Sequence, residues 1–434
     1  MPSSPQGGIF KFAMRKFFEV ARLELVALVR TRTVAMLAVA SLAWMAVFPH
    51  LVRGDGTPEG VRELTIHFSL GGVFALLVVA LLASATASIA KERAERRLQL
   101  TMVRPVRYSA IVLGKIAAHV AAGAFVLALG CMALAFRVDL SARCSHVLKP
   151  LLPTPQEEAK VMYEAYMADT NTPVAVRHAK KSVVLRLLAN RAVDRYDTIL
   201  TNATASWKFR GVDATDGLAV RMRFTNQLEM RQDVRGEFRF GGLGASISNI
   251  TQTVLTVPLK PMPGVGAEEG GEDALSFFNG GKSALMFRPR RDIELLMPAD
   301  AFWRNLVRAY VEMVSILSLV IAFGTLLSSC LGRPVALFVA IVTLIVSEMS
   351  PSVVEQYPDE LETDAVDRIG LYITRFAADV TRPVSSLSPL EKLAKDECVE
   401  PGETARLAVS NLLVLPVLLS LLAAFLLPRK QEDE

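Results

Sequence analysis

Two long apolar runs enclose a short charged segment, and this arrangement limits what the chain can fold into. The runs, His67–Ala90 and Ile116–Phe136, are nearly free of charged side chains, whereas the segment between them, Lys91–Lys115, begins with a cluster of charges. As a helix, each run is long enough to cross the roughly 30 Å hydrocarbon core of a bilayer. A basic segment between two such runs is typical of a cytoplasmic turn between transmembrane helices.

The composition agrees with a membrane protein that also has large polar parts. Hydrophobic residues make up 52% of the chain and the mean hydropathy is +0.36, above the range of soluble domains. Charged residues still make up 21%, too many for a chain that lies entirely within the membrane. The net charge of +5 comes from basic residues beside the apolar runs, so we interpret it as an orientation signal and not as a nucleic-acid-binding surface.

The apolar runs predict six transmembrane helices. The fifth run is short for a span, so it either starts inside the preceding turn or is tilted. Pro416 is expected to kink the sixth. Before the first span, apolar and basic residues alternate at helical spacing, which predicts an amphipathic helix on the membrane surface; a solvated helix packed on a partner is the alternative. A short polar loop, Arg53–Thr65, is predicted to join the first two spans. The predicted spans are Thr33–Val52, Ile66–Ala90, Ser109–Phe136, Asn305–Leu331, Val335–Ser347 and Ala405–Leu427.

The polar segments predict two domains outside the membrane. The first insertion is long enough to bury its own core. Its first part shows helical spacing of apolar residues, in Pro155–Ala168 and Val174–Val193, and its second part alternates with a period of two, as in Ala219–Phe224 and Glu237–Phe240. We therefore predict a helical stalk and an antiparallel β domain, an α+β insert between helices 3 and 4. The predicted order is an interfacial helix (1–32), spans 1–3 (33–136) with the charged segment 91–108, the α+β insert (137–303), spans 4–5 (304–349), an acidic insert (350–404), and span 6 with a short tail (405–434).

The distribution of basic residues predicts the orientation. The N-terminal helix carries six Lys and Arg residues against Glu19 and Glu24, and the segment 91–108 carries six against Glu92 and Glu95. The positive-inside rule therefore places both in the cytoplasm. Six spans then put the C-terminus in the cytoplasm and both inserts outside it, and the expected location is the cell (inner) membrane.

Ionisable side chains within the spans are candidates for function. Arg308 and Glu312 are one helical turn apart on the fourth span, where an ion pair would lower the cost of burying either charge. Such a pair either contacts a substrate or a proton, or anchors the helix. Lys115 and His119 on the third span have the same ambiguity.

The cysteines suggest one disulfide at most. The four cysteines show no CxxC spacing, which excludes a zinc ribbon, a c-type haem site and a disulfide-dense scaffold. Cys144 and Cys398 both fall in segments predicted to lie outside, where they could pair in an oxidising compartment.

The sequence contains no catalytic or cofactor-binding cluster. Gly280–Ser283 ends like a phosphate-binding loop, but that loop requires a glycine at position 276, which is Ser276, so we predict a hairpin turn here. Any dependence on ATP therefore has to come from a separate chain. Neither a nucleophile elbow nor a metal-ligand spacing is present, so we predict that the chain is not an enzyme and holds no cofactor or metal.

The segment Lys91–Lys115 resembles the region between the second and third spans of ABC-2 type transporter permeases. In that family a charged run leads into a leucine-rich stretch, a Pro-Val turn and an Ile-Leu-Gly-Lys start of the next span. This sequence differs at Arg96–Gln99, where many members have Gly-Thr-Leu-Glu, and the insert 137–303 is not typical of the family. The N-terminal helix, the six spans and an outer segment between spans five and six match its layout. The corresponding residues are Glu92, Arg93 and Glu95, then Leu98, Leu100 and Met102, then Pro105 and Val106, then Leu113, Gly114 and Lys115.

The resemblance implies the membrane-spanning permease subunit of an ATP-driven transporter, usually an exporter. Two permease chains, identical or different, would pair, each docked on a separate cytoplasmic ABC ATPase that binds ATP. The alternative is a non-transporting sensor, assembly factor or binding platform, whose function and partners lie outside the cytoplasm. No nucleic acid is expected as a partner. The residues implied in coupling to the ATPase are Glu92, Arg93, Glu95, Leu98, Pro105, Val106 and Arg107.

Overall fold

The long apolar helices and the antiparallel sheets occupy separate parts of the chain. The computed structural model describes residues 5–51, 58–94, 108–140, 142–169, 179–212, 217–225, 233–251, 254–262, 274–355 and 388–432. The chain divides into two compact units, a helical one (1–142, 301–352 and 374–434) and one that consists mainly of residues 143–300. The helices are α1 Pro5–Arg30, α2 Thr33–Leu51, α3 Pro58–Ala94, α4 Tyr108–Ala135, α5 Pro155–Ala168, α6 Lys181–Val193, α7 Phe302–Cys330, α8 Arg333–Glu355, α9 Ser388–Ala394, α10 Pro401–Ala408 and α11 Leu415–Glu432.

Five helical segments in the described part of the chain are long and apolar enough to cross a membrane. They correspond to five of the six predicted spans. The predicted fifth span falls on α8, whose apolar part, Arg333–Val346, is shorter than the other five. The five segments are Thr33–Leu51, Gly60–Glu92, Tyr108–Ala135, Phe302–Cys330 and Pro401–Leu426.

One predicted loop is partly helical. The sequence predicted a polar loop up to Thr65, but α3 begins at Pro58. Proline is well suited to the first turn of a helix because it has no N–H group to leave unpaired and its φ is already helical. Thr65 lies within this helix, and its hydroxyl donates to the Val61 carbonyl one turn earlier (2.7 Å).

The helix α7 forms the centre of the helical unit. In its most apolar 18-residue window 78% of the residues are buried, against 17% in α2. It packs against α3, α4 and α11, and the Tyr310 hydroxyl donates to the Ala124 carbonyl of α4 (3.1 Å). The shared core is formed by fully buried aliphatic side chains, among them Leu70, Leu77, Leu127, Leu317 and Ile321.

A π-helical turn interrupts the last long helix. Residues Val409–Val414 form this turn between α10 and α11. Pro416 lies two residues after its end, and a proline can neither donate to the carbonyl four residues earlier nor avoid a clash with it. A wider helical turn is a common way of relieving such a conflict. The distortion expected at Pro416 therefore lies in the turn that precedes it.

The described strands of the second unit form three sheets. The strand orders are β1-β11-β4-β7, β10-β2 and β3-β9-β5-β6-β8. The alternation predicted for Glu237–Phe240 is confirmed: Phe238 and Phe240 are buried and Arg239 is exposed. The strands are β1 Arg143–Leu148, β2 Asp197–Ile199, β3 Thr204–Lys208, β4 Ala219–Arg223, β5 Asp233–Phe240, β6 Leu243–Ile250, β7 Val254–Pro258, β8 Lys260–Pro261, β9 Ala274–Asn279, β10 Leu285–Phe287 and β11 Ile293–Ala301.

Glycines and an asparagine shape the turns of this unit. β5 and β6 form a hairpin in which Phe240 pairs with Leu243, and Gly241 has the positive φ (53°) that such a two-residue turn requires. Gly280–Ser283 was predicted to be a hairpin turn, but β9 and β10 belong to different sheets, so it is a connection between sheets. The Asn279 side chain holds this connection by accepting from the Gly281 N–H (3.0 Å) and donating to the Ser283 carbonyl (3.0 Å).

The predicted helical part of the insert is a pair of packed helices, α5 and α6. α5 starts with a capping box, in which the Thr154 side chain accepts from the Glu157 N–H and the Glu157 carboxylate accepts from the Thr154 N–H. The pair buries a small core of its own around Ala159, Val184 and Leu188. Of the predicted second helix, the structure describes Lys181–Val193.

Candidate functional site

A buried lysine joins three helices of the helical unit. The Lys115 ammonium group on α4 donates to Glu24 Oε2 of α1 (3.1 Å), to Ser88 Oγ of α3 (2.6 Å) and to Glu92 Oε1 of α3 (2.8 Å). The Ser88 hydroxyl donates in turn to Glu24 Oε1 (2.6 Å). The three N–H groups of the ammonium therefore all have partners. We call these four residues the Lys115 network.

Of the charged residues in this network, Lys115 is the most deeply buried and Glu92 the most exposed. The side chain of Lys115 is 4% exposed, that of Glu24 16% and that of Glu92 33%. One buried cation thus lies between two carboxylates, and the charged hydrogen bonds offset the cost of removing it from water. Burial is the strongest influence on the Glu24 pKa and raises it. The positive charge of Lys115 and the hydrogen bond from Ser88 act against burial, and the pKa is lowered overall.

A histidine extends the polar cluster by one turn along α4. His119 is fully buried, and its Nδ1 lies 2.9 Å from the Lys115 carbonyl oxygen while its Nε2 lies 3.2 Å from Ser84 Oγ. A carbonyl can only accept, so Nδ1 carries a proton and donates to it. In the neutral ring Nε2 then accepts from the Ser84 hydroxyl. The two residues predicted to be ambiguous on the third span therefore belong to one connected polar cluster.

A glycine allows α1 to lie close enough for the network to form. A Cβ atom at Gly114 would lie 2.8 Å from Val20 Cγ1 and 3.2 Å from the backbone nitrogen of Ala21. Any side chain here would separate α4 from α1 beside Lys115. The Gly114–Lys115 pair in the second turn of α4 thus has a structural explanation: the glycine permits the close approach of α1, and the lysine binds α1 through Glu24.

A second polar cluster lies near the start of α7. Glu312 is 3% exposed, and its Oε1 accepts from the Thr404 hydroxyl of α10 (2.7 Å). Arg308 Nη1 donates to the Val399 carbonyl (3.3 Å). Asn305 accepts from the Val399 N–H (2.7 Å). Arg308 and Glu312, predicted as a pair, thus both bind the segment that leads into the last long helix.

The structure describes only part of the predicted coupling set. Glu92 belongs to the Lys115 network, and Arg93 lies in α3, although its side chain is outside the described residues. The remaining predicted coupling residues, Glu95, Leu98, Pro105, Val106 and Arg107, lie outside the described residues.

Sequence reasoning missed Glu24, Ser84 and Ser88. A signal for them was available. Glu24 lies four residues after Val20 and four before Leu28, on the apolar face of the N-terminal helix, where a carboxylate needs a buried partner. Ser84 and Ser88 are likewise one turn apart on one face of the second span.

Cys144 and Cys398, which the sequence suggested could pair, differ in state from Cys131. Cys144 and Cys398 are both disulfide-bonded, and both are buried. Cys131, on α4, has a free thiol and is buried among apolar side chains.

Comparison with known proteins gives no family assignment: no protein-family model, no curated protein and no solved structure matches this chain. Within the part of the chain that the structure describes, no group of three or more His, Cys, Asp or Glu side chains is arranged to hold a metal ion.

Proposed function

We propose that this chain is the membrane-spanning permease subunit of an ATP-driven exporter of the ABC-2 type, with ATP hydrolysed by a separate cytoplasmic ATPase. Two permease chains, identical or different, would form the complete transporter. The observation that carries the proposal is the Lys115 network, together with its place next to the segment that resembles the family.

The network lies at both ends of that segment. Glu92 is its second residue, on α3, and Lys115 is its last residue, on α4, and Lys115 Nζ lies 2.8 Å from Glu92 Oε1. Glu24 adds α1 to the same network. An ATPase docked on residues 93–107 would therefore displace α1, α3 and α4 together, since buried charged hydrogen bonds resist separation of the three helices. A rigid-body movement of this kind is a common way to transmit a conformational change across a protein.

The proposal includes an orientation. The basic N-terminal helix and the segment 91–108 would face the cytoplasm of the cell (inner) membrane, by the positive-inside rule. With α8 as a sixth span, the C-terminus would also be cytoplasmic and the inserts 137–303 and 350–404 would lie outside.

Purification of the chain from its native membrane in mild detergent tests the proposal. We expect an ATPase with Walker motifs to co-purify and to hydrolyse ATP in nanodiscs. Glu92→Gln and Pro105→Ala should reduce docking or turnover, while Lys208→Gln, at an exposed position on β3, should change neither. Full docking and turnover in both segment variants, or purification without any ATPase, would contradict the coupling role.

A second candidate function is supported by the separate hydrophobic core of the second unit, which consists mainly of residues 143–300 and is called the β unit below. Its buried aromatic side chains, among them Phe238, Phe277 and Trp207, form a cluster of their own, as expected for a binding domain carried by a membrane anchor. Replacing residues 143–300 by a short Gly-Ser linker distinguishes the permease hypothesis from the binding-domain hypothesis. A permease would retain its ATPase and ATP hydrolysis, whereas a sensor, assembly factor or binding platform would lose its function.

A further inference from the structure

The N-terminal helix α1 has two different faces. One face packs against α4, where Val20 and Ala21 lie over Gly114 and Glu24 binds Lys115. The other face is exposed, although it is rich in apolar side chains: Phe18 is 60% exposed, Val26 54% and Val29 59%. The network explains the inward face of α1 and leaves the outward face unexplained.

Arginines are interleaved with these exposed apolar residues. Arg15, Arg22 and Arg30 are all exposed and follow one another at about two helical turns, so they lie on the same side of α1. The acidic residue near them, Glu19, is already paired with Arg15 and Lys16. Within the described part of the chain, neither Arg22 nor Arg30 has an acidic partner. The outward face is therefore both apolar and positively charged.

This face continues into the exposed surface of a span-length helix. α1 ends at Arg30, and α2 begins at Thr33 after a two-residue turn. α2 has exposed apolar side chains along its length, including Met36, Val39 and Val47. If these side chains lie in lipid, α1 lies at the boundary of the same leaflet, where apolar side chains reach the acyl chains and arginines reach the headgroups.

We propose that the outward face of α1 binds the headgroups of acidic phospholipids, with Arg22 and Arg30 as the principal contacts. The guanidinium group donates paired hydrogen bonds to phosphate oxygens, and basic residues beside a membrane are attracted to anionic lipids. Each arginine should strengthen binding about fivefold, and the two together about 25-fold. The inference rests on the membrane assignment and is independent of any ATPase.

Lipid titration of the detergent-purified full chain tests this inference. Short-chain phosphatidylglycerol and phosphatidylcholine are added separately, and bound lipid is counted by native mass spectrometry. We expect selective binding of phosphatidylglycerol, and about 25-fold weaker binding after Arg22→Gln with Arg30→Gln. Arg235→Gln, at an exposed position on β5, is the matched control and should bind as the unmodified chain does.

Two further arms identify the source of any effect. Arg22→Lys with Arg30→Lys keeps the charge and should retain most of the binding, which distinguishes lost charge from a damaged fold. Inorganic phosphate should not compete at the same concentration. Equal binding of the two lipids, unchanged binding in the double glutamine variant, or full competition by phosphate would overturn the proposal. The proposal would also be overturned if the double glutamine variant kept its lipid binding but no longer co-purified with an ATPase, since a protein would then occupy this face.

Discussion

The ammonium nitrogen of Lys115 lies 2.8 Å from Glu92 Oε1, so a charged hydrogen bond joins the last turn of α3 to the second turn of α4. These are the two helices between which the charged segment of the sequence runs. The same ammonium lies 3.1 Å from Glu24 of α1. A force applied to the segment or to α1 would therefore act on one connected body.

Removal of the Lys115 charge should destabilise the helical unit. Lys115→Met would leave Glu24 and Glu92 without their shared counter-ion, and loss of one partner of a buried ion pair typically costs about 3–5 kcal/mol. SDS-induced or thermal unfolding in micelles measures the change. Lys208→Met, at an exposed position on β3, is the control. Equal stability of the two variants would mean that the network does not hold the helices together.

Acidification should weaken the attachment of α1. The pKa of Glu24 is lowered in the folded chain, so its ionised form contributes stability above the unfolded-state pKa, and this contribution is lost as the pH falls through the folded-state pKa. Glu24→Gln should therefore be less stable than the unmodified chain near neutral pH. The difference should shrink as the pH is lowered below the usual range of a glutamate. A difference that stays constant over that scan would exclude the ionisation of Glu24 as its cause.

Two glycines of the same helix should respond differently to alanine. At Gly114 the new Cβ would meet Val20 and the Ala21 backbone at 2.8–3.2 Å, and overpacking of this kind typically costs about 1–3 kcal/mol. At Gly130 the nearest atom is Val73 Cγ1 at 3.4 Å, which is ordinary contact. Gly130→Ala should be neutral or slightly stabilising, because alanine favours the helix. If Gly114→Ala behaves in the same way under thermal unfolding, α1 is not closely packed there.

The hydrogen bond from Thr404 to Glu312 should contribute more to the free energy of unfolding than a hydroxyl that bonds only a carbonyl of its own helix. Thr404→Val removes the donor to a buried carboxylate, with an expected cost of about 1–3 kcal/mol. Thr325→Val is the matched control, because this buried hydroxyl donates to the Ala322 carbonyl of its own helix. We expect the control to unfold closer to the unmodified chain. The reverse order would show that Glu312 does not depend on Thr404.

The number of spans can be tested at the two termini. If α8 crosses the membrane, the chain has six spans and both termini lie on one side. Green fluorescent protein fused to either end should then fluoresce, and alkaline phosphatase fused to either end should be inactive. Active alkaline phosphatase at the C-terminus alone would show that α8 does not cross.

Much of the fold could be predicted from local patterns of apolar and charged residues in the sequence. Long charge-free runs form helices, and the alternating residues of Glu237–Phe240 form a strand. Both patterns follow from the removal of apolar side chains from water, which favours an arrangement that places them on a buried face. Boundaries were less accurate where short-range effects compete, as at Pro58, where a segment expected to be a loop is helical. The connection at Gly280–Ser283 was misplaced because sheet membership depends on distant strands.

The sequence by itself determined the apolar helices, their charged surroundings and the alternation of the β unit, since these follow from the order of neighbouring residues. The tertiary structure alone decided which charges meet. Glu24, Ser88 and Lys115 are far apart in the chain, and no periodicity relates them. Their contact requires α1 to lie against Gly114, so it is a consequence of how whole helices pack. The candidate site therefore becomes visible only once the helices are assembled.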